Sequence, residues 1–238
     1  MRKIFTLFSV LLPILFSIQI TYASPLNDKI TIQQLQYDET TQNYTAINIK
    51  YNDKESTVPY ITEKTDIIDK PVVFSEGGRN FIFISINSHL GTGLYRTNAL
   101  IFDTDTLQPL TVKKDNDFIR QNFSSQISYS DKKIYLCTAN QTIILQNKSR
   151  LNDIFTAYQK NPARFNDYDQ FIIPPNMQYR YQYLPQTGSN IICSHGLEFP
   201  HNWLIGDIMV LYRYNPVENC FEPDTNSTIK INIFPVYQ

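Results

Sequence analysis

The chain has 238 residues, a formal net charge of −1, and 18% charged against 13% aromatic side chains, the latter including 16 Tyr and 15 Phe. A near-neutral balance lacks the clustered basic field that nucleic-acid binding needs, which excludes DNA or RNA as the default partner. Seven glycines without a GxxxxGK or a complete GxGxxG exclude the two common nucleotide-phosphate loops.

In chain order, Met1-Arg2-Lys3 is a basic head, residues 4–20 carry no charge, and Thr21-Tyr22-Ala23 places small residues before a cut ahead of Ser24. This is the layout of a cleavable signal peptide over residues 1–23. Ser9, Pro13, Ser17 and Gln19 weaken the run as a permanent span, and no later stretch approaches the ~20 apolar residues a spanning helix needs. The expected mature protein is residues 24–238, a single β-rich domain that is periplasmic or secreted. Its Asn- and Ile-heavy composition points to a bacterial source.

Short runs of alternating apolar residues separated by turn clusters predict an all-β fold. Ile30 and Ile32 alternate, then the phase slips to Leu35 and Tyr37, which predicts a bulge at Gln33-Gln34. Thr45, Ile47, Ile49 and Tyr51 form a clean strand, and residues 52–70 read as polar connection. The best-defined unit spans 71–113. It contains a strand from Val72, a Glu76-Gly77-Gly78-Arg79 hairpin, strands over 81–86 and 99–102, and a last strand from Leu107 to Val112. Part of it recurs over 178–224, with Asn190 to Ser194 matching Asn80 to Ser85, and with His195 and His89 each opening a following loop. A fainter copy lies over 133–145. Repeated strand–loop–strand units predict a propeller-like or sandwich architecture. One short helix is predicted near 150–160, capped by Ser149, with Leu151, Ile154, Phe155 and Tyr158 on one face.

Three cysteines in an exported protein imply one disulfide and one leftover thiol. Cys193 with Cys220 is the expected pair, because both fall in the last β unit. The densest set of potential metal ligands is His195-Gly-Leu-Glu198-Phe-Pro-His201. Two imidazoles and a carboxylate suit an open zinc site, although this spacing matches no helical zinc motif. His89 joins them only if the two loops share a rim. Asp103-Thr-Asp105 and Asp224-Thr-Asn226 read as Asp-rich turns rather than calcium loops. Tyr179, Tyr181 and Tyr183 alternate, so a strand there places three tyrosines on one face, either half-buried or presented to a partner. Catalytic signatures are otherwise absent. The expectation is therefore an exported, non-catalytic binding protein without a cofactor. Its partner is expected to be another protein, as for an inhibitor or toxin-immunity protein, or less readily a glycan. The alternative is a secreted metal-dependent hydrolase using the 195–201 loop.

Overall fold

The computed structural model describes residues 30–91, 94–162, 177–184, 188–199 and 203–237, so the predicted signal segment lies outside the described residues. Among the described residues the fold is mostly β, with two α-helices and a closed six-stranded barrel. Three antiparallel strands come first: β1 (Ile30–Asp38), β2 (Asn43–Tyr51) and β3 (Lys54–Glu63). A second part holds β4 (Ile67–Ile68), β5 (Val72–Glu76), β6 (Arg79–Gly91), β7 (Leu94–Asp103) and β8 (Pro109–Val112). Helix α1 (Asn116–Asn122) leads into a three-stranded sheet of β9 (Phe123–Ser128), β10 (Lys133–Thr138) and β11 (Thr142–Leu145), followed by α2 (Ser149–Lys160). The last part holds β12 (Met177–Leu184), β13 (Gly188–Phe199), β14 (Trp203–Asn215), β15 (Cys220–Pro223) and β16 (Lys230–Ile233).

The barrel runs β12-β13-β14-β15-β8-β7 and returns to β12. Two of its junctions are parallel, β15 with β8 and β7 with β12, and they join the second part of the chain to the last. The repeated units predicted from sequence are therefore neither blades nor the two layers of a sandwich. They are two antiparallel arrays fused side by side into one curved sheet.

The unbroken apolar run of β6 explains its central place. Phe81 and Phe83 enter one core cluster, while Ile82, Ile84 and Ile86 enter a second. A strand buried on both faces loses the apolar–polar alternation of a half-buried one. The second cluster is completed by Ile47, Ile49, Tyr51 and Val58 of β2 and β3, which lie against β6 together with Phe102 and Leu107. The first is larger and continuous from the barrel strands to β9–β11 and both helices. Phe81 sits within it, with ring centroids 4.8 Å from Tyr214, 5.1 Å from Phe221 and 5.5 Å from Phe74.

Several boundaries differ from expectation. Residues 52–70 contain β3, which among the described residues pairs only with β2, and an edge strand of this kind accepts Pro59. The β1–β2 register runs unbroken through Gln33↔Asn48 and Gln34↔Ile47, so no bulge lies there; the phase slip falls at Gln36, whose φ is 59°. Helix α2 forms where predicted and buries Leu151, Ile154 and Phe155. Its N-cap is Lys148 rather than Ser149, with no side-chain capping bond. Both predicted His-bearing loops are strand over their described residues, while 92–93 and 200–202 lie outside them. β6 and β7 continue as a ribbon to Gly91 and Leu94, and β13 runs on through His195 to Phe199.

Candidate functional site

Strand β13 projects Ile191, Cys193, His195 and Leu197 to one face, and all four are buried. Cross-strand pairing sets Tyr179 of β12 opposite Cys193, with Val210 and Ile208 of β14 opposite Cys193 and His195. Into the same place comes Asp115, from the link between β8 and α1. It is fully buried, and its carbonyl accepts the Ile119 N–H at the start of that helix. His195 Nε2 lies 2.7 Å from Asp115 Oδ2, and Cys193 Sγ is 3.3 Å from the same nitrogen. Tyr179 and Tyr212 meet through their hydroxyls at 3.3 Å, and Tyr212 Oη donates to the Lys113 carbonyl at 3.0 Å.

The network stays protonated where a nucleophile would need to be charged. Burial pushes the Cys193 thiol well above its ordinary range, and the nearby Asp115 carboxylate pushes the same way. Burial likewise raises Tyr179, and with Tyr179 and Asp115 beside it raises Tyr212 further. A Cys–His–Asp set resembles the parts of a thiol protease. Here the thiol is desolvated rather than activated, and all three side chains are sealed from solvent.

No known family model, curated protein or solved structure matches this chain.

Of the residues singled out from sequence, His195 is 2% exposed in a strand and not on a loop. Glu198 lies on the opposite pleat face and is half-buried, while His201 is outside the described residues. His195 and Glu198 therefore do not form the open zinc site drawn from their spacing. His89 is exposed on the β6–β7 ribbon, opposite Tyr95, and so does not share the buried setting of His195. The tyrosine row is a gradient. Tyr179 is buried, Tyr181 is half-buried with its ring 5.4 Å from Phe74, and Tyr183 is 50% exposed. The row faces the core at one end and solvent at the other.

The expected disulfide is absent, and all three cysteines are free. The pleat explains it. Cys193 shares a face with Val210, Tyr212 and Tyr214, whose partner is Phe221, so Cys220 falls on the other side of the β14–β15 pair. The two Asp-rich turns are turns: Asp103 Oδ1 accepts the N–H groups of Asp105 and Thr106, and Asp224 Oδ1 that of Asn226. Sequence reasoning passed over Asp115, which lies in a polar Lys-Lys-Asp-Asn-Asp stretch and meets His195 across 80 residues. The readable half of the signal was Cys193-x-His195, an i, i+2 pair on one strand face.

A second feature lies at the surface. Among the described residues β11 pairs only with β10, which leaves its other edge without a described ladder partner, and β16 pairs with β14. A cleft of ≈ 410 Å³ opens between them, lined by Ile143, Ile144, Lys148, Ile231 and Asn232 among others. Ile144 is 50% exposed. The cleft lining contains no acidic residue, and among the described residues no carboxylate pairs with Lys148.

Proposed function

We propose that this is an exported, non-catalytic binding protein of the inhibitor or toxin-immunity kind, and that it holds an extended segment of another protein between β11 and β16. The cleft beside the β11 edge carries this reading. Among the described residues that edge has no ladder partner, and an open strand edge templates an added strand. A four-residue edge spans roughly 13 Å at strand rise, enough to align a short segment. Apolar residues of the guest would meet Ile144 and the other isoleucines that line the cleft, and Lys148 favours a carboxylate at one end of the guest. The sealed state of Cys193, His195 and Asp115 supports the non-catalytic half of the reading. No helix among the described residues is long and apolar enough to cross a membrane.

An array of hexapeptides alternating apolar with neutral or acidic residues tests the proposal by fluorescence polarisation. Saturable binding is expected for a subset enriched in acidic ends. It is expected to weaken at least tenfold in Ile144→Lys and to lose its acidic preference in Lys148→Gln, while amides of 142–145 and 230–233 gain exchange protection. A hit that survives Ile144→Lys unchanged, or an array without hits, would move the function elsewhere on the molecule. Self-association abolished by the same substitution would identify a second copy as the occupant.

A further inference from the structure

We propose that Asp115, Cys193 and His195 bind a zinc ion that pins α1 and the end of β8 to β13. The donor atoms of the three side chains all lie within 4.8 Å of one another. Nε2···Sγ is 3.3 Å and Nε2···Oδ2 is 2.7 Å. Tetrahedral zinc with Zn–N and Zn–O near 2.0 Å and Zn–S near 2.3 Å separates its ligand atoms by about 3.2–3.6 Å. The N···S side already fits, the N···O side has to open by about half an ångström, and the S···O side lies within 4.8 Å.

A second observation points independently to a missing ligand. Asp115 is fully buried, yet its Oδ1 has no hydrogen-bond partner. A buried carboxylate oxygen without a donor is costly, and an ion chelated through both Asp115 oxygens would give Oδ1 its missing partner. Charge balance agrees. Zinc with one thiolate, one carboxylate and a neutral imidazole sums to zero, which suits a site walled by Tyr179, Tyr212 and aliphatic side chains. Binding releases the thiol proton of Cys193, and Tyr179, which pairs with Cys193 across β12 and β13, flanks the resulting thiolate. Mixed N, S and O donors select zinc over magnesium or calcium, which prefer oxygen alone. With Asp115 bidentate, its two oxygens, Sγ and Nε2 fill four positions, and with all three side chains buried the metal's role is structural. It is a different site from the 195–201 set read from spacing, sharing only His195.

The full mature chain, purified without chelator or an affinity tag that carries metal, is expected to hold about one zinc per molecule by elemental analysis. Cobalt substitution is expected to give tetrahedral ligand-field bands with a thiolate-to-cobalt charge-transfer band. Cys193→Ser is expected to abolish the charge-transfer band, whereas the Cys137→Ala/Cys220→Ala double variant keeps it. If Cys193→Ser fails to fold, Asp115→Asn with the double variant as control decides, since loss of stoichiometric metal with retained circular dichroism supports the site. Chelator is expected to lower the melting temperature of the wild type and not that of Asp115→Asn. Absence of stoichiometric metal after zinc reconstitution, with melting indifferent to zinc and chelator, overturns the proposal. So does a cobalt thiolate band that depends on Cys137 or Cys220.

Discussion

Glu76 ends β5 at the hairpin, where its Oε1 accepts the Tyr214 N–H at 2.7 Å and its Oε2 is buried without a partner. Burial raises its carboxyl from 4.5 to about 7; the Asp224 carboxylate adds to the rise, and the Tyr214 N–H and Arg213 oppose it. The folded chain therefore holds this proton more tightly than the unfolded chain between pH 4.5 and about 7. Over that window the native state binds more protons, so stability falls as pH rises and levels off above about 7. Carried through in full, the change corresponds to at most about 3 kcal/mol at about 1.4 kcal/mol per pH unit. Glu76 is only partly buried, and solvent screening reduces the expected loss to about 1–2 kcal/mol. For a domain of this size that is a fall of about 3–8 °C in melting temperature. Glu76→Gln keeps the acceptor for Tyr214 and removes the charge. Wild type and variant are expected to melt together at pH 5, with the variant higher by that amount at pH 8. The paired comparison cancels groups such as Asp103 and Glu222, whose lowered carboxyls titrate below the window. A difference between the two proteins that stays constant from pH 5 to pH 8 refutes the assignment.

Two further substitutions probe the packing. Phe81→Ala empties the centre of the aromatic cluster and is expected to cost about 3–5 kcal/mol in urea unfolding, with the barrel partly collapsing at the low end; a cost under 1 kcal/mol means the ring is not packed as described. Gly206→Ala would set a Cβ 2.2 Å from the Asn232 carbonyl oxygen, so β16 has to move off β14. Hydrogen exchange at 230–233 is expected to accelerate at least tenfold while β13 stays protected, and unchanged exchange there rules out the close approach.

The all-β class, the 71–113 unit and helix α2 were legible because each rests on local signals: pleat alternation, a Gly-Gly turn and a three-four spacing of apolar residues. What escaped the sequence was non-local. β3 was passed over because only Val58 and Thr62 are buried along it, with Pro59, half-buried Tyr60 and exposed Ile61 between them and polar residues on either side. The strand extensions past His89 and His195 were hidden by Gly91 and Gly196, which read as loop markers although both sit inside ladders. The internal repeat was seen, but its meaning was not. A repeat in sequence does not say whether the copies stack as blades or fuse edge to edge, because the two parallel junctions that close the barrel involve three residue pairs in all. Asp115 had no local signature of any kind.

Those thin junctions raise the question of what holds the two arrays together, and the side chains answer it. The β15–β8 ladder has two register pairs and the β7–β12 ladder one, too few to close a barrel by backbone pairing alone. Polar contacts between the second and last parts of the chain gather around the first junction. Arg79 binds Tyr214 and Asn219, with its guanidinium 5.4 Å from the Tyr214 ring, and Glu76 takes the Tyr214 N–H. Lys113 binds Glu218 and Glu222, its N–H reaches the Phe221 carbonyl at 2.8 Å, and its own carbonyl accepts Tyr212. Asp115 and His195 make the buried member of the set. Exposed pairs such as Lys113–Glu218 contribute little each. A buried pair contributes mainly specificity, since either partner alone would be an uncompensated polar group. Burial deepens along the junction from Lys113 at the surface to Asp115 inside, so removing one partner is expected to cost most at the Asp115–His195 pair. A metal at that point would act on the same seam, tightening the step where sequence-distant halves must find one another.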